Sequence, residues 1–256
     1  MKIYLFGKIG VSFGLFFLLF SVFCTSGLAL SDSEIAGIQK SFRSKPVGER
    51  IALWAERFVG TPYDEDPQGL YVTREAIVAD EKMDCMYLTF RSVELALSNT
   101  PSEAIQVALE KRFHTRGQIG DGKVLNYDDR YEYGEDLIVS GKWGKEITAA
   151  LGPTKRIEGT RGNSHWKVLT AKEISRRLNR LKSGDLIFFV KNPKRRIAGE
   201  SVGHIGIIKV EKQAGRKSVY LIHASGSKNK GGAIRKVLLR DYVVKMPFIG
   251  VQVTRF

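Results

Sequence analysis

Cysteine is nearly missing from this chain: 256 residues hold two, Cys24 and Cys85, and histidine is scarce as well, with four. No internal repeat and no Pro- or Ser-rich linker interrupts the sequence. Each shortage excludes something. A protein that loses Cys24 with its N-terminus has no partner for Cys85, so no internal disulfide holds it together. No His-x-x-x-His or paired acidic motif completes a zinc-amidase site around the two strand histidines. Acidic residues are outnumbered, 27 Asp and Glu against 41 Lys and Arg, for a net charge of +14. That imbalance speaks to partners rather than to fold. The basic residues are scattered ("KNPKRR", "GRKS", "GSKNK") and lack an aromatic stacking pattern or a recognition motif. Nucleic acid is therefore not the expected partner. An anionic cell envelope is.

What is present begins with a distinctive first thirty residues. Lys2 and Lys8 precede "IGVSFGLFFLLFSVF", and the small residues of "CTSGLALS" follow. A positive start, an apolar run and a small-residue exit are the parts of a secretory signal peptide. The apolar core is short for a membrane span and no basic cluster follows it, which favours cleavage near Ala29 over an anchor. "SVFC" lacks the small residue that lipid-modified cysteines carry just before them. The expectation is a signal peptide over 1–29 and a single domain over 30–256, with no transmembrane helix left after cleavage. Its charge becomes 14 − 2 = +12. The periplasm is the expected destination and the extracellular space the alternative. A lone thiol in an exported protein is itself a flag for reactivity.

Along the mature chain, Val47, Ile51, Trp54 and Phe58 recur at helical spacing behind Pro46, and Gly60 with "GTPY" ends that helix in a turn. After a loop containing Gly69, "DCMYLTFRSVELAL" is apolar nearly all round, as a buried central helix is. Thr100 and Glu103 stand at capping-box spacing around Pro101, opening another helix. Residues 114–166 are glycine-rich, polar and aromatic and read as an insertion with one or two short helices. "TAKEISRRLNRL" is a short amphipathic helix. Then "DLIFFV", "HIGIIKV", "SVYLIHAS" and "FIGVQVTRF" read as antiparallel strands, with "LLRDYVVKM" as a short helix between the last two. Helices first and sheet afterwards define an α+β fold, helices packed on a central antiparallel sheet.

The histidines differ in context. His114 ends a helix, where an imidazole helps cap the dipole. His165, in "NSHW", lies in the insertion and suits a surface or a cleft edge equally. His204 begins one strand and His223 lies inside another. Cys85, behind Asp84 at a helix start, has a dipole and unpaired N–H groups that favour its thiolate. Thiol catalysis needs that nucleophile, a base, and a third polar group holding the base. His204 suits the base and His223 the orienting group, while the N–H of Cys85 suits an oxyanion donor. On spacing alone, a buried structural cysteine with two satisfied strand histidines stays open.

"GTPY", "DC" at a helix start, "SGDLIFFV", "VGHIGIIKV" and "LIHAS", in that order, resemble the NlpC-type cell-wall cysteine peptidases of the papain-like superfamily. The resemblance covers roughly 50–98 and 182–256. It implies a papain-like fold, with a catalytic cysteine at the start of a helix packed on an antiparallel sheet. It implies Cys85 as nucleophile, His204 as base and His223 as orienting residue, and it calls for no metal and no cofactor. Tyr63 matches the tyrosine lining the site, and Asp84, Met86 and Ser225 fall at substrate-contacting positions. Members that cut the stem peptide carry serine where this chain has Met86. The stretch "YDDRYEYGEDLIVSGKWGKEITAALG" resembles the N-acetylmuramoyl-L-alanine amidase-like branch, which implies cleavage between the lactyl group of muramic acid and L-alanine in peptidoglycan or anhydro-muropeptides. A γ-D-glutamyl stem-peptide endopeptidase is the alternative, and a non-catalytic wall-binding module the alternative of another class. Peptidoglycan or its fragments are the implied partner, and the protein is expected to be a monomer.

Overall fold

The computed structural model describes residues 29–65, 76–196, 199–213, 215–227 and 230–256. The expected signal segment, apart from Ala29, and the loop at Gly69 lie outside the described residues. Among the described residues the chain forms eight α-helices and ten strands, the α+β mixture the sequence implies. None of those helices is long and apolar enough to cross a membrane.

Four longer helices come first: α1 (Asp32–Phe42), α2 (Val47–Arg57), α3 (Cys85–Leu97) and α4 (Pro101–Lys111). The sequence does not announce α1, whose buried side chains are only Ile35 and Gln39; a Ser31–Glu34 capping box starts it. In α4, Thr100 accepts from the Glu103 N–H as expected, but the Glu103 carboxylate takes the N–H of Asn99, one residue before the cap.

The last third builds the sheet from β6 (Leu186–Val190), β7 (Val202–Gln213), β8 (Arg216–Ser227), β9 (Gly231–Leu238) and β10 (Gly250–Arg255). Three short strands or pairs lie in the 114–166 stretch: β1 (Ile119–Gly120) with β2 (Lys123–Val124), β3 (Lys145–Glu146), and β4 (Lys155–Glu158) with β5 (His165–Val168). That stretch also holds α5 (Gly134–Ser140) and α6 (Thr148–Leu151), so it carries more strand than expected. α7 (Ala171–Arg176) follows it, and α8 (Leu239–Lys245) joins β9 to β10. The central sheet runs β3-β10-β6-β7-β8-β9, antiparallel at every pair. Strand β9, with its two glycines and two basic residues, is not foreseen in the sequence; its pairing with the distal half of β8 decides it.

Both faces of this sheet are covered, which is why β6 is apolar at every position instead of alternating. Leu186, Phe188, Ile205, Ile207 and Ile222 pack toward Ile51, Trp54 and Leu88 of α2 and α3. Ile187, Phe189, Ile208, Leu221 and Val251 pack on the opposite side, with Ile174 of α7 and Leu239 and Val243 of α8. The first layer aims the start of α3 at the sheet, and the second brings α8 under the same strands.

Helix α3 is tied down by buried charge as well. Arg91 binds Asp80 through Nε and Nη2, both at 2.8 Å. Tyr87 donates to the same carboxylate at 2.7 Å. Arg112, the C-cap of α4, binds Glu94 at 2.6 and 2.7 Å. Buried charges persist only when paired in this way. Lys142 caps the end of α4, its Nζ donating to the carbonyls of Glu110, Phe113, His114 and Thr115. His114 instead packs edge-on against Tyr131, with ring centroids 4.5 Å apart, so the capping role expected of it belongs to Lys142.

Candidate active site

Cys85 is the first residue of α3, and Asp84 is its N-cap: the Asp84 Oδ1 accepts from the Tyr87 N–H at 2.7 Å. An aspartate at this position satisfies one of the unpaired donors at the helix start. The same cap sets a negative charge beside the thiol. The strap 60–64 positions the facing wall. Gly60 and Tyr63 donate from their backbone to Ile234 and Gly232 of β9, and Met83 donates to the Pro62 carbonyl and accepts from the Asp64 N–H. Tyr63 is thereby held next to the segment that leads into Cys85.

The β7–β8 ladder runs from Gln213↔Arg216 to Ile207↔Ile222 and stops there. Beyond it, β7 keeps its pairing with β6 through Phe189↔His204, while β8 keeps its pairing with β9 through His223↔Arg235. His204 and His223 face each other across this fork, Nε2 to Nδ1 at 2.9 Å. Gly206 lets them approach, since a Cβ there would stand 2.5 Å from Leu221 Cδ1 and 3.3 Å from His223 Cβ. His204 sits third in β7 rather than at its start, because the strand begins at Val202.

Cys85 and His204 line one cleft of about 230 Å³, together with Tyr63, Asp84, Met86, Glu132, Tyr133, Gly134, Glu200 and Gly203 among others. Five of the seven expected site residues therefore meet there. His223 lies behind His204, buried, and reaches the cleft through it. Ser225 is half-buried on β8 and is not among the residues that line the cleft. His165, the first residue of β5, is also elsewhere: its Nδ1 contacts Arg156 of β4 and the preceding Ser164.

Aromatic rings that the sequence does not mark surround the imidazoles. Tyr242 of α8 stands 4.8 Å from His223 and 6.2 Å from His204, ring centroid to centroid. Phe248 stacks nearly parallel to His204 at 6.4 Å, and Phe189 lies at 5.7 Å. A tyrosine in a short amphipathic helix and a phenylalanine before a strand carry no spacing signal; only the packing of α8 under the sheet assembles them.

The electrostatics follow from this burial. It holds His204 down to about 3, with His223 adding to the effect. His223 is held down to about 4, by burial first and then by Arg235. Cys85 is pushed up to about 12, by burial and then by the Asp84 carboxylate, against backbone N–H bonds from Ile205, Cys85 and Met86 that favour the thiolate. The helix start thus acts in the expected direction and is outweighed. Burial disfavours the charged form of the thiol and of both imidazoles. Tyr63 is likewise raised to about 12, by burial and the nearby Cys85, Asp84 and Asp64. Among the described residues no cluster of histidine, cysteine and carboxylate could hold a metal ion.

No family model matches this sequence, and none of the curated proteins does. The fold is nevertheless shared with solved structures. An N-acetylmuramoyl-L-alanine amidase from Bacteroides uniformis ATCC 8492 superposes with a TM-score of 0.61 at 20% identity, over 82% of this chain and 98% of its own. A Legionella pneumophila str. Philadelphia 1 protein of the DUF1460 family superposes at 0.66 with 14% identity, over 87% of this chain and 93% of its own. At these identities the likeness establishes the architecture and leaves the chemistry to the site.

Proposed function

We propose that this chain is a cysteine amidase of the NlpC type that hydrolyses the bond between the muramic lactyl group and L-alanine, in peptidoglycan or its anhydro-muropeptide fragments. The observation that carries this reading is the convergence of Cys85, at a helix start, and the hydrogen-bonded His204–His223 pair on one cleft. The amidase of shared fold from Bacteroides uniformis supports it. The expected signal segment and the basic charge support export, with the periplasm as destination.

With His204 Nε2 engaged by His223, Nδ1 is the nitrogen left to serve the thiol. His204 takes the Cys85 proton as the sulfur attacks the amide carbonyl, because burial disfavours the charged form of each group. The N–H groups of Cys85 and Met86 stand at the helix start to receive the oxyanion. As the tetrahedral adduct collapses, the C–N bond breaks and His204 returns the proton to the L-alanine nitrogen. Water, deprotonated by His204, then attacks the thioester and frees the lactyl carboxylate and the thiol. His223 holds the His204 ring and its proton throughout.

The endopeptidase alternative uses the same triad on a substrate whose L-alanine amine is free. Tyr63 and Asp84 line the cleft as that reading needs. However, one Asp84 oxygen is committed to the helix cap, and Met86 offers no hydroxyl. Digestion of defined muropeptides followed by mass analysis decides: release of the intact stem peptide from the sugar means amidase, and release of the dipeptide L-Ala-D-Glu means endopeptidase. Full turnover by Cys85→Ala would overturn the thiol mechanism of both, and no turnover of any muropeptide, with every phenotype unchanged in Cys85→Ala, would leave a wall-binding module.

A further inference from the structure

One wall of the cleft comes from outside the regions that carry the cysteine and the histidines. Glu132, Tyr133 and Gly134 form it, at the start of α5. Tyr133 is half-buried and is braced from outside. The guanidinium of Arg161 lies over its ring, 4.0 Å from the centroid, and Arg161 Nε stands 3.4 Å from Asp136. Arg161 holds this position in an unusual backbone. Its φ is +52°, Gly162 follows at +83°, and Asn163 N–H closes the turn on the Thr160 carbonyl at 3.0 Å. Left-handed turns of this kind favour asparagine or glycine, and an arginine there adopts a sparsely populated conformation. The hairpin carrying it is itself fastened to the site, Thr160 Oγ1 meeting Ser201 Oγ at 2.6 Å just before β7. What the unfavourable residue contributes is a cation held against the outer side of one cleft tyrosine.

The cleft's charge narrows what that tyrosine can meet. Although the protein is strongly basic, the lining side chains include Asp64, Asp84, Glu132 and Glu200, the last two paired with Arg130 and Lys191, and among the described residues no lysine or arginine lines the cleft. An anionic ligand is disfavoured, and a neutral one with hydroxyls to donate is suited. Gly134 and Gly203 leave the walls bare, and a Cβ on Gly134 would collide with Val202 at 2.6 Å. A pyranose ring has this chemistry: one face of C–H bonds for an aromatic ring, and hydroxyls at its edge.

We propose that Tyr133, braced by Arg161, is the platform on which the muramic sugar ring rests, and so determines specificity for a glycosylated over a bare peptide. The inference depends on the amidase reading, since it places the sugar on the acyl side of the cut bond. Two substrates sharing the scissile amide test it, N-acetylmuramoyl-L-Ala-D-isoGln and its sugarless counterpart lactoyl-L-Ala-D-isoGln. The kcat/KM ratio between them should favour the muramoyl compound by ~10- to 100-fold, the scale of one apolar contact in a specificity pocket. Tyr133→Ala should bring the ratio near one, Arg161→Ala should lower it partway, and Tyr133→Phe should restore most of it. A ratio unmoved by Tyr133→Ala, including an equal loss on both substrates, overturns the platform alone. Cleavage of neither compound by the wild-type protein overturns the amidase reading, and the platform with it.

Discussion

His204 Nε2 and His223 Nδ1 are joined at 2.9 Å across the fork where β7 and β8 stop pairing. A second imidazole, unlike a carboxylate, brings no negative charge, so it orients the first ring without favouring its protonated form. Replacing His204 by alanine is expected to remove ~10²–10⁴-fold in kcat, the usual worth of positioned proton transfer. His223→Ala should lose less, because the base remains although its ring is free to turn. His223→Asn should recover part of that loss, since an amide can also accept the Nε2 proton. Steady-state kinetics on a defined muropeptide measure all three, and equal activity of His223→Ala and wild type would remove the orienting role.

Burial of both imidazoles couples stability to pH. Their native values are held at about 3 and about 4, below the ordinary 6.5, so between these limits the unfolded chain binds more protons than the folded one. Stability therefore rises with pH across that window. Their contribution is fully present above about 6.5 and is lost as pH falls toward the native values. Urea midpoints measured from pH 7 down to pH 4 should decline, and the decline should be shallower in His204→Gln.

The raised Cys85 thiol makes a chemical prediction. A free cysteine alkylates through its thiolate, and here that form is disfavoured by burial and by Asp84. Iodoacetamide should modify the resting protein more slowly than free cysteine at pH 7, with a rate that keeps climbing above pH 9. Asp84→Asn should speed the reaction, because it removes the neighbouring negative charge. A plateau of fast labelling at acid pH would show a preformed ion pair instead.

Gly206→Ala tests the fork. The added methyl would meet Leu221 at 2.5 Å and the Ile222 carbonyl at 3.0 Å, so β7 must shift away from β8. Overpacking of this kind costs ~1–3 kcal/mol. Activity should fall by more than stability alone explains, since the same shift separates the two histidines. Chemical denaturation and kinetics on one preparation read the two effects together.

Removing Arg112 leaves Glu94 buried without its bidentate partner; both side chains are almost wholly inaccessible. Arg112→Met should destabilise by ~3–5 kcal/mol, as breaking a buried pair does. A double variant, Arg112→Met with Glu94→Leu, should recover much of that loss, because no unpaired charge remains. Urea unfolding of the two variants measures the difference.

The elements readable in the sequence are those whose signal is local. Trp54 and Phe58 mark one face of α2, Asp84 and Cys85 mark the start of α3, and the apolar runs of β6 and β7 mark strands covered on both sides. β9 escaped because two glycines and an adjacent basic pair do not resemble a strand until β8 pairs with it. In the 114–166 stretch, β3 is a strand only through β10. The same limit applies to Lys142, whose four carbonyl partners lie 27 to 32 residues away.

For the site, sequence alone determined the chemical candidates: one thiol behind an aspartate, and two histidines in apolar strands. Their residue types and their placement on elements follow from short-range pattern. Tertiary structure decided whether they meet and what surrounds them. It brought Tyr133 to the cleft from the 114–166 stretch, Tyr242 and Phe248 to the imidazoles, and left Ser225 aside. It also reversed the expected bias on the Cys85 thiol. A helix start is a local feature and favours the thiolate, but burial is a property of the whole fold, and here it is the larger effect.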